Sequence, residues 1–288
     1  MKKKTVLDFI DMKKKGEPIA WLTAYDYPSA YALEQAGIDL ILVGDSGIMC
    51  QYGEDSTIPS TMEDQIRMTK AVRKGAPNTF IVGDMPFGSY EVSIEEGVRN
   101  ALRLVKEGDC DAIKFEGYRT DLARAMTNAG IVVFGHLGLT PQSSAQLGGY
   151  RVQRNADKIY KEMADMWGAG AGFMLVEAVP SDFNYQEESK KWTNPHWKNA
   201  GAQNQIVFGI GAGKNVDGQL LIYHDIVGYY PNFKPRFAKN YWQSALELTP
   251  EDSGMLKTVQ TAAELYIREV KEGLFPSEEY MYKPKEDK

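Results

Sequence analysis

Cysteine and histidine are scarce in this chain: two cysteines, Cys50 and Cys110, and three histidines, His136, His196 and His224. The cysteines form neither a metal-binding spacing nor a disulfide framework, which leaves two free thiols and a reducing compartment as the simplest account. The histidines show no HExxH spacing, which counts against zinc. Long apolar runs are missing too; none approaches the ~20 residues that cross a bilayer. The basic start, "MKKKTVLDFIDMKKKG", has no signal-peptide core, because Asp8 and Asp11 interrupt its short apolar stretch. Nor is positive charge in excess. Against 33 Lys and Arg stand 39 Asp and Glu, a net charge of −6, which argues against nucleic acid or an anionic membrane as the main partner. A local basic pocket for an anionic metabolite stays open. There is no internal repeat, no low-complexity tract, no P-loop lysine motif, no GxGxxG fingerprint and no Pro/Gly/Ser linker to divide the chain. These absences imply one cytoplasmic, soluble domain over residues 1–288, with only the tail "SEEYMYKPKEDK" (277–288) looking loose.

What is present is alternation. Short apolar runs recur at 19–26, 40–46, 79–84, 112–117, 131–136, 172–179, 205–213 and 219–225. Longer stretches of helical periodicity separate them, such as "SIEEGVRNALRLVKEG", where Ser93 and Glu96 make a capping-box signature. This order predicts a parallel sheet wrapped by helices. Eight strand candidates in a chain of 288 residues fit a single (β/α)8 TIM barrel. A doubly wound open sheet fits the same pattern less well.

Several runs end alike. "ILVGDS" stops on Gly44, Asp45 and Ser46, and "FIVGD" stops on Gly83 and Asp84. Lys114 and Glu116, then His136, then Glu177 close the next runs. In a barrel these positions share one rim, where chemistry is built. Each alone could be an N-cap or turn residue. Together, Asp45, Asp84 and Glu116 would repel one another unless they shared a cation or a proton. Oxygen ligands without a Cys/His cluster favour Mg2+. Lys114 and Glu116 are two apart, so alternation sends both side chains to one side of the strand. That suits either a lysine for a substrate carboxylate or a structural ion pair. The glycines of "GIGAG" (209–213) could cradle a phosphate or serve tight packing.

The chain resembles the ketopantoate hydroxymethyltransferase family. The resemblance rests on "TAYDY" (23–27), "LVGDS" (42–46), "GDMPFGSY" (83–90), "IKFEG" (113–117), "GHLGLTPQS" (135–143), "VEAVP" (176–180), "DGQLLIYHD" (217–225) and "KPRFAKNY" (234–241). It implies a barrel of the phosphoenolpyruvate/pyruvate-binding type, and it implies roles. Asp45 and Asp84 match magnesium ligands, and Glu116 a third carboxylate acting through bound water. Ser46 and Lys114 match groups that hold a 2-oxo acid by its carboxylate end, Glu177 the general base, and His136 a lining residue. The implied substrates are 3-methyl-2-oxobutanoate and 5,10-methylenetetrahydrofolate, and the implied assembly is a large homo-oligomer, often a decamer.

Some residues depart from the family's pattern. Gly47-Ile48-Met49 follows "GDS" where Leu-Gly-Met is usual, Glu54 replaces His or Tyr, Tyr118 follows "KFEG", and Ala178 stands where cysteine is common. The stretch 181–205 is long and carries Phe183, Tyr185, Trp192 and Trp197, which suits a surface elaboration, a subunit contact or a lid. Three alternatives compete with the transferase reading: the same enolate chemistry on a different 2-oxo acid, a Mg-dependent 2-oxo acid lyase or mutase of the related barrels, and a non-catalytic relative that binds a metabolite or partner.

Overall fold

The computed structural model describes residues 2–190 and 205–284. Eight parallel strands close into a barrel in chain order. They are β1 (Ile19–Thr23), β2 (Leu40–Val43), β3 (Phe80–Asp84), β4 (Ala112–Glu116), β5 (Val133–Gly138), β6 (Phe173–Glu177), β7 (Ile206–Ile210) and β8 (Gly218–Leu221). All eight expected strands form. Runs such as "IAWLT" and "LILV" are buried at every position, as expected of strands covered on both faces.

Six of the expected strands overran their true ends, and three of them show why. The first stops at Thr23 because Asp26 caps the next helix, accepting from the Ser29 amide at 2.8 Å. The run 172–179 ends at Glu177, where Ala178 turns into the left-handed region at φ 49°. The run 219–225 ends at Leu221, and Tyr223–Val227 is helical. Apolar residues continue past these ends because the first turns of the loops are buried as well. At Ser93 the hydroxyl caps the Glu96 amide at 3.1 Å, the first half of the expected capping box.

The barrel interior divides into two zones. Trp21, Phe134, Phe173 and Phe208 pack their rings together in its lower part, Phe134 lying flat on Phe173 at 4.2 Å. Below them helix Val6–Lys14 closes the bottom: Phe9, fully buried, meets Phe80 and Phe173 edge-on. Lys13 follows, donating to the Tyr185 hydroxyl and the Gln205 carbonyl and pairing with Asp217 at 3.2 Å. The upper zone holds the charged residues among apolar walls and opens at the C-terminal ends of the strands.

The tail differs from its expectation. As far as Pro284 it is docked rather than loose: Ser181 donates to the Tyr282 carbonyl at 2.8 Å, Arg154 to that of Lys283 at 3.1 Å, and Tyr282 lines the barrel mouth. Among the described residues no helix is long and apolar enough to cross a membrane.

Candidate active site at the barrel mouth

Strand register sets the polar rim. Asp84 sits beside Lys114, Glu116 beside His136, and Gly138 beside Glu177 on adjacent strands. Alternation then lifts Glu116 two residues above Lys114, and His136 two above the ring of Phe134. Asp45 enters from the loop after β2, with its backbone amide donating to Asp84 Oδ2 at 3.2 Å. Five of the seven residues expected at the site are buried, and Ser46 and Glu177 are half-buried. Asp84 is 1% exposed and Asp45 4%, with Lys114, Glu116 and His136 between them.

Lys114 is the counter-ion of the group. Its ammonium donates to both oxygens of Asp84, at 2.8 and 2.9 Å, and reaches Glu116 Oε1 at 3.5 Å. Burial works against its charge, but Asp84, Glu116 and Asp45 outweigh burial and keep it protonated. A single lysine does not neutralise three carboxylates. Burial raises the carboxyl pKa of Asp45, Asp84 and Glu116, and Lys114 offsets this only in part. Such a cluster holds on to a proton or takes a cation.

His136 lies between two carboxylates. Its Nδ1 is 3.4 Å from Glu116 Oε1 and its Nε2 is 3.3 Å from Glu177 Oε2, close enough to pair although neither contact is aligned as a hydrogen bond. Burial and the charge of Lys114 lower its pKa, which favours the neutral imidazole. Burial raises the pKa of Glu177, and His136 pulls it back down. Ser46, at the start of helix Gly47–Tyr52, shares a 2.8 Å hydrogen bond with the Tyr25 hydroxyl.

Two residues of the site carry no signal in composition or strand pattern. Gln142 lies in the turn after β5, and its side-chain amide donates to Asp45 Oδ2 and to the Met85 carbonyl, both at 2.9 Å. Its backbone amide donates to Glu116 Oε2 at 2.9 Å. Tyr90 donates to the Gln142 side-chain oxygen and accepts from the Glu116 amide at 3.2 Å. These neutral groups hold two of the three carboxylates in place. Both fall inside the quoted strings "GHLGLTPQS" and "GDMPFGSY", the only hint the sequence offers of them.

The departures resolve individually. Gly47 is forced: a Cβ there would stand 2.6 Å from the Tyr25 ring and 2.7 Å from the Met68 sulfur. Glu54 is exposed and outside the mouth. Tyr118 turns to the surface, donating to Asp165 at 2.8 Å, so it stays away from Glu116 despite its place in sequence. Phe183 and Tyr185 are core residues, Phe183 stacked on Tyr160 at 4.7 Å and Tyr185 against Trp167; neither acts as a lid. Trp192 and Trp197 lie outside the described residues. The glycines of "GIGAG" serve close packing. A Cβ on Gly211 would meet Phe237 at 2.6 Å, and one on Gly213 would meet the Ser181 backbone at 3.0 Å.

Among the described residues, no three His, Cys, Asp and Glu side chains are grouped as a ready-made metal cage. Mg2+ commonly takes one or two carboxylates and fills its other positions with water and substrate oxygens. Asp45 and Asp84, adjacent and under-neutralised, fit that requirement.

A sequence profile of the ketopantoate hydroxymethyltransferase family matches residues 3–278. The chain belongs to this family. It is 45% identical to the 3-methyl-2-oxobutanoate hydroxymethyltransferase of Geobacillus sp. (strain WCH70), covering 99% of this chain and 96% of that protein. It is likewise 45% identical to the enzyme of that name from Alkaliphilus metalliredigens (strain QYMF), over 98% and 93% of the two chains. Among solved structures it resembles the phosphoenolpyruvate phosphomutase of Streptomyces platensis subsp. rosaceus. There the TM-score is 0.57 at 13% identity, over 95% of this chain and 100% of that one. That likeness concerns the fold. Family membership and full-length homology make the chain an enzyme, a hydroxymethyltransferase, and displace both the lyase or mutase and the non-catalytic alternatives.

Proposed function

We propose that the barrel mouth performs the family's reaction with the residues named above. The chain transfers a hydroxymethyl group from 5,10-methylenetetrahydrofolate to 3-methyl-2-oxobutanoate, giving 2-dehydropantoate and tetrahydrofolate, a step of pantothenate biosynthesis. One water supplies the new hydroxyl oxygen. The observation that carries the assignment of residues is the convergence of Asp84 and Glu116 on Lys114, with Asp45 against Asp84 and the Glu177–His136 pair beside Glu116.

Asp45 and Asp84 would hold Mg2+, with Glu116 reaching it through water. When bound, the ion supplies Lewis-acid stabilisation of negative charge on the oxo-acid oxygens. The remaining work belongs to the chain. Lys114 and Ser46 hold the oxo acid by its carboxylate end. Glu177 removes the proton at C3, and its raised pKa makes it a stronger base than an exposed glutamate. His136, buried against Lys114, stays neutral and fixes the orientation of Glu177. Gln142 and Tyr90 fix the positions of Asp45 and Glu116. The mouth brings the C3 carbanion and the one-carbon unit together, which supplies much of the rate.

The same membership supports a homo-oligomer working in the cytoplasm, a decamer by resemblance to the family; light scattering of the purified protein tests the assembly. The chemistry is tested by proton NMR of 3-methyl-2-oxobutanoate in D2O with protein and Mg2+. The C3 proton signal should disappear without folate, and hydroxymethyl product should form only with methylenetetrahydrofolate. Retention of the C3 proton in the presence of Mg2+ would refute the assignment.

A further inference from the structure

The carboxylates on the oxo-acid side of the mouth all have partners. Asp225 does not. It sits in helix Tyr223–Val227, just after β8, and lines the same mouth as Asp45 and Glu177. It is half-buried, yet among the described residues no hydrogen bond or ion pair reaches its carboxylate, and Lys234 is the one charge that acts on it appreciably. Its own charge is felt by the Cys50 thiol and the Tyr25 hydroxyl, which places it toward the loops after β1 and β2. Met49, Ile222, Tyr230 and Phe233 line the mouth with it. A carboxylate with no donor in such surroundings is destabilising. Burial accordingly pushes its carboxyl up to about 7.

The reaction brings two molecules into this mouth, and they differ in what they could offer Asp225. The oxo acid is an anion and would be repelled. The folate carries, on one edge of its pteridine, a ring N3–H beside an exocyclic 2-amino group. Two parallel N–H donors of this kind match the two oxygens of one carboxylate, the fork geometry that makes guanidinium–carboxylate pairs strong. The flat ring also needs aromatic and aliphatic walls to cover its faces.

We propose that Asp225 is the pteridine-binding residue of the mouth, accepting both N–H donors of the folate's ring edge while Tyr230 and Phe233 cover the ring. This rests on the hydroxymethyltransferase reading above, since a different one-carbon donor would lack that edge. Asp225 is a binding residue; no bond forms or breaks there. It also gives the mouth a division of labour. Cation and lysine hold the anionic oxo acid at the barrel centre, and an acceptor on the β8 side holds the donor-rich folate.

The test uses the intact chain and two assays. Asp225→Asn and Asp225→Ser are compared with wild type in C3 proton exchange of 3-methyl-2-oxobutanoate in D2O, which needs Mg2+ but no folate. They are compared again in transfer at varied 5,10-methylenetetrahydrofolate. Both variants should exchange at the wild-type rate while KM for the folate rises about tenfold or more, as expected for a lost charge-assisted pair. An unchanged folate KM in both variants overturns the proposal. Loss of exchange along with transfer also overturns it, because Asp225 would then serve the oxo-acid half. Absence of exchange in the wild type would remove the underlying reading, and this assignment with it.

Discussion

Glu177 and His136 are best understood as one unit. The carboxylate must be ionised to take the C3 proton, so the exchange rate falls as pH drops through its pKa. That pKa is raised by burial above the ordinary 4.5 and is moderated by His136. Replacing His136 by Asn removes the moderating group. The acid limb of the exchange profile should therefore move to higher pH, and an unmoved limb would detach His136 from Glu177. Glu177→Gln should lower exchange by about 10²-fold or more, the usual scale for a lost general base. Mg2+-dependent binding of the oxo acid, followed by calorimetry, should persist in that variant. Unchanged exchange would take Glu177 out of the base role. The candidate base, ligands and lysine were legible because each ends an apolar run on a charged side chain, a conflict that sequence alone exposes. Gln142 and Tyr90 were not. A neutral amide and a phenol raise no such conflict until the fold brings them against Asp45 and Glu116; Asp225 did close the run 219–225, but its unpartnered place at the mouth, in helix Tyr223–Val227, shows only in the fold.

At the scale of elements, the turn after β5 is as much part of the site as the strands. Gln142 binds Asp45 of the β2 loop and Glu116 of β4 at once, and Tyr90, from the loop after β3, locks Gln142 from behind. Tyr90→Phe removes a donor to Gln142 and an acceptor for the Glu116 amide. It should destabilise the protein by about 1–3 kcal/mol, the range for stranding buried polar partners. Gln142→Ala should weaken Mg2+ binding, measured without substrate by the thermal shift the ion produces, because Asp45 is then free to turn. An unaltered Mg2+ shift would leave Gln142 a purely structural residue. The strands themselves were readable from their apolar runs, since a strand buried on both faces carries its signature in composition. Their ends were less so. Ala24, Tyr25, Ala178 and Val179 are as buried in loops as they would be in strands, so hydrophobicity could not mark where pairing stops.

For the molecule as a whole, chemistry and stability occupy opposite ends of one barrel. The mouth gathers the polar residues, and the bottom is sealed by the helix that carries Phe9 and Lys13. Phe9→Ala should cost about 3–5 kcal/mol in a denaturant titration, the range for truncating a buried phenylalanine. KM for either substrate should not change; a change would mean that strain at the bottom reaches the rim. The docked tail was not legible, because "SEEYMYKPKEDK" is polar and its anchoring depends on the Pro180–Ser181 backbone, which only the fold supplies.

Sealing the bottom in this way has a consequence for how the chain is made. Lys13 leaves the ribosome well ahead of its partner Asp217, which lies 204 positions further on. At ~5–20 residues per second that separation is tens of seconds of synthesis. Through that interval helix Val6–Lys14 can find Phe80 and later Phe173, but its ammonium has no carboxylate to meet. A helix made before all eight strands is thus one of the last elements to be fully seated, and a stalled or truncated nascent chain would expose the underside of an unfinished barrel.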